Sequence, residues 1–348
     1  MARALVAALV SAGHAVVQPS GLRSFLSAPD VDRQTQLRTE AGREIDRITA
    51  AWTKAGSPDF WFTYHNHYKA PDLLGPAMAR RFALPYAIAE ASHAPKRAAT
   101  WASWHVAAET AIRAADLHLC FTARDRDGLS GLLKPGCAAV DLAPFLDLDD
   151  FLPVRDTRES GPPRLATLAM MRPGDKLASY RMLAEALELL DDVPWHLDVI
   201  GSGPAKDDVE ARFAALPPER LTWHGTLERA AAWKQIGRAD LFVWPGFGEA
   251  FGLAYLEAQA AGVPVLAFDT AGVGAVVRHG TTGLLVTEIA AKAYADALRA
   301  VLSDRDALER MGIAARRFVL DERTLAQASR SLDGALRGSL ERKSRSHG

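Results

Sequence analysis

Residues 240–268 restrict the fold more than any other stretch of the chain. DLFVW at 240–244 has the composition of a buried strand, and PVLAF at 264–268 is a second such run. Between them lie a glycine-bearing loop, 245–249, and a helix-compatible run, 252–261. Strand, helix, strand is the repeating unit of a parallel α/β sheet. The loop also has a chemical meaning. A strand that passes through a glycine-rich turn into a helix start points backbone N–H groups and the positive helix end at an anion. The backbone of Phe251, Gly252 and Leu253 would meet a phosphate there, with Gly252 permitting close approach because it has no Cβ. Two glutamates, Glu249 and Glu257, stand eight residues apart in this stretch. Glu257 falls about one and a half turns into the helix. A carboxylate there cannot hold phosphate, but it accepts hydrogen bonds from sugar hydroxyls.

The same alternation runs through the rest of the chain. In the first half, apolar runs at 14–17, 59–64, 84–89, 115–121 and 137–142 read as strands. Segments 35–54, 71–82 and 101–114 read as helices, and Thr122 is placed to cap another. Residues 154–163 are polar, with proline and glycine, and read as a linker. From Arg164 the pattern restarts, with strands expected at 164–170, 195–200, 220–223, 240–244, 264–268 and 283–286. The expectation is two doubly wound Rossmann-like domains facing a cleft, 1–153 and 164–325. A C-terminal helix with a basic tail follows at 326–348, frayed from Arg337 onward. At 348 residues the chain suits two domains of ordinary size.

Residues 1–12 could be a short signal peptide or an amphipathic helix with Leu5, Val6, Leu9 and Val10 on one face. The helix is the preferred reading. Net charge is −1, with basic residues concentrated in neither half, which argues against nucleic acid as a partner. Cys120 and Cys137 have no metal-ligand spacing and imply no disulfide framework, so a reducing cytoplasm is expected. No run of 18 apolar residues marks a spanning helix.

The motif AFG-x-x-x-LEA-x-A-x-G-x-PV from Ala250, then Gly272, then G-x-TG-LLV from Gly280 resembles the donor domain of retaining glycosyltransferases of family 4. Glu249 and Glu257 match that family's Glu-x7-Glu signature, and its architecture is called GT-B. The resemblance implies that Glu249 lies near the donor sugar and that Glu257 binds ribose hydroxyls. Lys176 matches the cation that holds the donor diphosphate. Arg172 resembles that loop's arginine but is displaced by one position, the family residue falling at Met171. Gly201 and Gly203, in G-S-G-P, resemble a turn near the nucleotide. His224 falls where the family places residues near the base, and Ala275 stands where it often has glutamate. On the acceptor side, His65 and His67 end an expected strand where the family has a histidine near the reacting sugar. Ser92, His93, Lys96 and Arg97 follow the next strand, giving a polar, mildly basic surface suited to an acidic acceptor.

The resemblance implies transfer of a hexose from a nucleoside diphosphate sugar to a hydroxyl acceptor in glycan, polysaccharide or lipopolysaccharide synthesis. Lys176, Glu249 and His65 would be the reacting-centre residues. The anomeric configuration would be retained by front-face departure, with neither metal nor cofactor. Asp147-Leu-Asp149-Asp150 has the composition of a metal motif but lies in the joining region. The acceptor is a carbohydrate, a lipid-linked glycan or a small molecule, met in the cytoplasm or at the inner membrane face. The family normally opens with a strand and glycine-rich loop ahead of the first helix, and this sequence has none, so a truncated start is expected. That leaves two alternatives: a catalytically inactive nucleotide-binding subunit, or a sugar-nucleotide epimerase or phosphorylase on the same scaffold.

Overall fold

The computed structural model describes residues 1–148 and 161–346, without the side chains of 344–346. The chain forms two compact units, Met1–Ala143 together with Ala326–Gly348, and Pro144–Leu325. Most of the expected linker at 154–163 lies outside the described residues, as do residues 149–153 and Asp149 and Asp150 of the acidic run. The units part between Ala143 and Pro144, ahead of the boundary expected at 153.

The first unit opens with helices α1 (Ala2–Ser11) and α2 (Val31–Ala55). Four parallel strands follow, β1 (Trp61–Asn66), β2 (Tyr86–Ala91), β3 (Leu117–Cys120) and β4 (Ala138–Asp141), hydrogen-bonded in that order. Helices α3 (Gly75–Arg81), α4 (Ala98–Ala114) and α5 (Ala123–Leu129) make the crossovers. β2 is buried at every position, as an inner strand covered on both faces must be. Thr122 caps α5 as expected, accepting from the Asp125 amide at 3.1 Å.

Three expectations for this unit are corrected. Residues 14–17 form no strand: no neighbouring strand offers a ladder there, and Val17 is 80% exposed. Instead His14 Nε2 contacts Asp333 at 3.1 Å. In α1 the buried face is Leu5, Ala8 and Leu9, whereas Val6 and Val10 stand in solvent, because a 100° rotation per residue carries them off the core side. The C-terminal segment is no frayed tail. It is helical to Ser346, and Lys343 fixes it by donating to the Leu84 carbonyl at 2.6 Å.

His118, in the middle of β3, is fully buried and shares a hydrogen bond between Nε2 and the Ile112 carbonyl at 3.0 Å. Burial pushes its imidazole down to about 4, which that hydrogen bond only partly opposes. The folded value lies below the ordinary one, so unfolding takes up a proton at intermediate pH. This contribution is intact above about pH 6.5 and is lost as pH falls towards 4. A loss on the order of 3 kcal/mol is expected across that window. Hydrogen exchange of the β2 and β3 amides at pH 7 and pH 4.5 measures it, and His118→Leu should flatten the pH slope.

The second unit contains β5 (Arg164–Leu168), β6 (His196–Ile200), β7 (Leu221–Gly225), β8 (Leu241–Val243), β9 (Val265–Phe268) and β10 (Gly283–Val286). All six are parallel, in the order β10-β9-β8-β5-β6-β7. Helices α6 (Asp175–Glu188), α7 (Lys206–Phe213), α8 (Arg229–Ile236), α9 (Leu253–Ala260), α10 (Ala291–Ser303) and α11 (Arg305–Glu322) accompany them. Helix α12 (Leu325–Ser346) then returns to the first unit. The strand order reverses between β5 and β8. In doubly wound sheets the crevice beyond the carboxyl ends of the strands at such a reversal is where ligands bind.

Candidate active site

The two loops at that reversal bring the donor-side residues together. After β5 the chain runs through residues 169–174 into α6, whose first turn carries Lys176. After β8 it runs through Trp244 and a glycine-bearing loop to Glu249. The Lys176 ammonium donates to Glu249 Oε1, and the Trp244 indole N–H donates to the same oxygen at 3.0 Å. Lys176 Nζ also lies 5.4 Å from the Trp244 ring centroid, within cation–π range. Lys176 and Glu249 stand 73 residues apart, and each is only partly exposed.

The other residues expected on the donor side lie in the loops after β5 and β6 and at the start and along the length of α9. Gly201 and Gly203 follow β6 and lie against the loop after β5, with the Met171 amide donating to the Ser202 carbonyl at 3.0 Å. Gly252 is the N-cap of α9 at φ 77°, and no side chain caps that end, so the backbone at Phe251, Gly252 and Leu253 turns as the sequence implies. Glu257 is half-buried on α9. Burial raises its carboxyl, against the polarity of the nearby Trp233 indole and the charge of Arg229. The Arg229 guanidinium lies 4.1 Å from the Trp233 ring centroid. Arg172 stands exposed in its loop and Ala275 in a short 3₁₀ turn. His224 is committed elsewhere: its Nε2 sits 2.8 Å from Asp198, which also accepts from Nε and Nη2 of Arg164.

In the first unit, buried Asn66 anchors the end of β1. Its side chain donates to the Ala108 carbonyl at 3.1 Å and accepts from the Asp72 amide at 2.9 Å. His65 and His67 flank it, with ring centroids 4.4 Å apart. Burial, then the nearby charges of His65 and Lys69, lowers His67 to about 4, so it is neutral at pH 7.

His65 Nδ1 lies 3.5 Å from Glu90 Oε2 on β2. Both residues hold left-handed backbone conformations, φ 67° and 59°. Non-glycine residues in that region store strain of about 1–3 kcal/mol each and concentrate at functional sites. Lys96 and Arg97 are exposed on a 3₁₀ turn, while His93 turns to Glu109 on α4 at 2.8 Å. Sequence reasoning missed Glu90, Trp244, Trp233 and Arg229. Glu90 and Trp244 were within reach, because each sits at the carboxyl end of a strand in a parallel sheet.

Comparison with known proteins bears on this arrangement. Residues 170–318, which carry the whole switch-point cluster, match the family model described as glycosyl transferases group 1. A D-inositol 3-phosphate glycosyltransferase of Nocardia farcinica is 48% identical over 100 residues, 28% of this chain and 20% of that protein. Its counterpart in Streptomyces griseus is 29% identical over 310 residues, 77% of this chain and 65% of that protein. The chain thus spans less than two thirds of the length of either relative. A glycosyltransferase from Rickettsia africae superposes with TM-score 0.71 at 15% identity, covering 97% of this chain and 94% of that one. The fold is that of the GT-B glycosyltransferases. Anabaena HepE, solved in complex with UDP, superposes with TM-score 0.68 at 15% identity over 85% of this chain and 82% of its own. No described helix is long and apolar enough to cross a membrane.

Proposed function

We propose that this protein is a retaining glycosyltransferase that moves a hexose from a nucleoside diphosphate sugar to a hydroxyl acceptor without a metal. The observation that carries the reading is the Lys176–Glu249–Trp244 cluster at the strand-order reversal of a domain matching glycosyl transferases group 1. An ammonium has three N–H donors, and one is committed to Glu249, leaving two for a diphosphate. Lys176, with Arg172 in the loop that precedes it, stabilises the charge that grows on the departing nucleoside diphosphate. The backbone at 251–253 meets a phosphate or the sugar, and Gly201 and Gly203 let the turn after β6 pack against the loop that leads to Lys176. Glu257, a carboxylate raised by burial, gains from accepting two ribose hydroxyls.

Retention follows front-face departure, in which a diphosphate oxygen helps deprotonate the acceptor. His65, held beside Glu90, serves the acceptor side, with neutral His67 as a hydrogen-bonding partner. Lys96 and Arg97 suit a negatively charged acceptor. The Nocardia and Streptomyces relatives, named for D-inositol 3-phosphate, are consistent with that. Lipid-linked, polysaccharide and small-molecule acceptors, met in a reducing cytoplasm or at a membrane's inner face, share this chemistry.

Calorimetry with UDP, GDP, ADP and their sugars tests the donor half. One nucleotide is expected to bind, with affinity at least about tenfold lower in Glu257→Ala, because two ribose hydroxyls have lost their carboxylate acceptor. Failure of all three nucleotides to bind overturns the reading. Binding without transfer to any acceptor favours a nucleotide-binding subunit.

A further inference from the structure

A second cluster of ligating groups lies in the first unit, apart from everything the donor reading uses. His93 precedes α4, whereas His105 and Glu109 stand one turn apart on it and so share a helix face. One ligating atom from each of the three lies within 4.8 Å of the others. His93 Nε2 is 2.8 Å from Glu109 Oε1, and His105 Nδ1 is 3.8 Å from that same oxygen. Two ligands on one tetrahedral zinc stand about 3.3 Å apart, so both separations need to change by only about half an ångström.

His105 is 95% buried with its Nδ1 turned to Glu109, so it presents a fixed donor to the cluster. The three side chains line a small recess with Tyr68 and Ser92, and His93 and Glu109 keep 17% and 29% of their side-chain surface in solvent, from which a water can complete the ligand set.

We infer that His93, His105 and Glu109 bind one divalent transition-metal ion of the zinc class. Two imidazoles and one carboxylate form a donor set that suits zinc, and its fourth position takes a water. The ion replaces the proton shared between His93 and Glu109. It ties the segment after β2, which carries Lys96 and Arg97, to the body of α4. That attachment spans a kink: Ala102, between the two parts, holds φ 20° and ψ −93°, outside the helical range. The site therefore fixes the shape of an acceptor-side loop. It is independent of the donor reading, and the transfer step itself needs no metal.

The test uses full-length protein treated with a chelator and then titrated with Zn²⁺ and, separately, Co²⁺. One equivalent of Zn²⁺ is expected to bind, and the Co²⁺ form is expected to show the visible absorption of a four-coordinate site. Glu109→Gln and His93→Asn are the chosen variants, because His105 lies in the core, where replacement disturbs packing. Each should weaken Zn²⁺ binding at least tenfold while circular dichroism stays unchanged. Zn²⁺ should also raise the thermal midpoint of the wild type but not of either variant. Absence of stoichiometric binding in the wild type, or equal binding in both variants, overturns the assignment.

Discussion

Lys176→Ala is expected to lose transfer by about 10³-fold, the cost of removing a donor aimed at transition-state charge in a preorganised site. The ammonium sits where the strand order reverses and already touches one carboxylate and one indole ring. It can turn its remaining N–H groups to a diphosphate without rearranging its neighbours. The same geometry predicts little loss of stability. Lys176 is about a quarter exposed, and ion pairs of that kind contribute roughly 1 kcal/mol or less. Glu249 keeps the Trp244 N–H at 3.0 Å, so its carboxylate is not stranded. Single-turnover transfer from whichever nucleotide sugar binds, together with a urea titration, separates the two effects. Turnover near the wild-type rate in Lys176→Ala would remove the residue from the site and with it the main support for the donor reading. Lys176→Arg should recover part of the rate by restoring the charge, though not the compact ammonium's fit beside Trp244.

The inner strands of the second unit were legible as apolar runs, because buried parallel strands carry that composition whatever their neighbours, and the edge strand β7 was placed by the alternation of elements. Glu249 and Glu257 were legible because one motif spanned them, and Lys176 because its loop resembled another. Trp233 and Arg229 were not, since they reach Glu257 from another helix and no spacing rule links 229 to 257. The run at 14–17 misled for a related reason. Its composition suits a strand, but a strand exists only where a partner offers its ladder, and none does there. Glu90 illustrates a third limit. Its left-handed φ of 59° and its place beside His65 are properties of folded backbone, invisible in a residue type that is common at the ends of strands. The cluster of His93, His105 and Glu109 lay half in view. The helical i, i+4 pair can be read from sequence, but the turn that brings His93 back onto it cannot.

Gly201→Ala is expected to destabilise the second unit by about 4 kcal/mol or more, a larger effect than any surface substitution would give. Gly201 holds φ +136°, and a Cβ there would lie 2.0 Å from the Ala169 carbonyl oxygen. Neither side of that contact can yield. The Gly201 amide is tied to the Gly225 carbonyl at 2.8 Å, and the Ala169 amide to that of Ile200 at 3.1 Å. Gly203 repeats the constraint one step on, where a Cβ would sit 2.3 Å from the Met171 oxygen. Relief must therefore come from the loop after β5, the segment that carries Arg172 and leads into Lys176. Stability and nucleotide affinity should fall together in Gly201→Ala, whereas Lys176→Ala should separate them. Gly42→Ala provides the contrast: its Cβ meets nothing within 4 Å inside α2, so a gain of about 0.5–1 kcal/mol is expected. Equal stability of Gly201→Ala and wild type in urea would mean that the two loops are not held in contact, and the phosphate-facing turn would then lack its support.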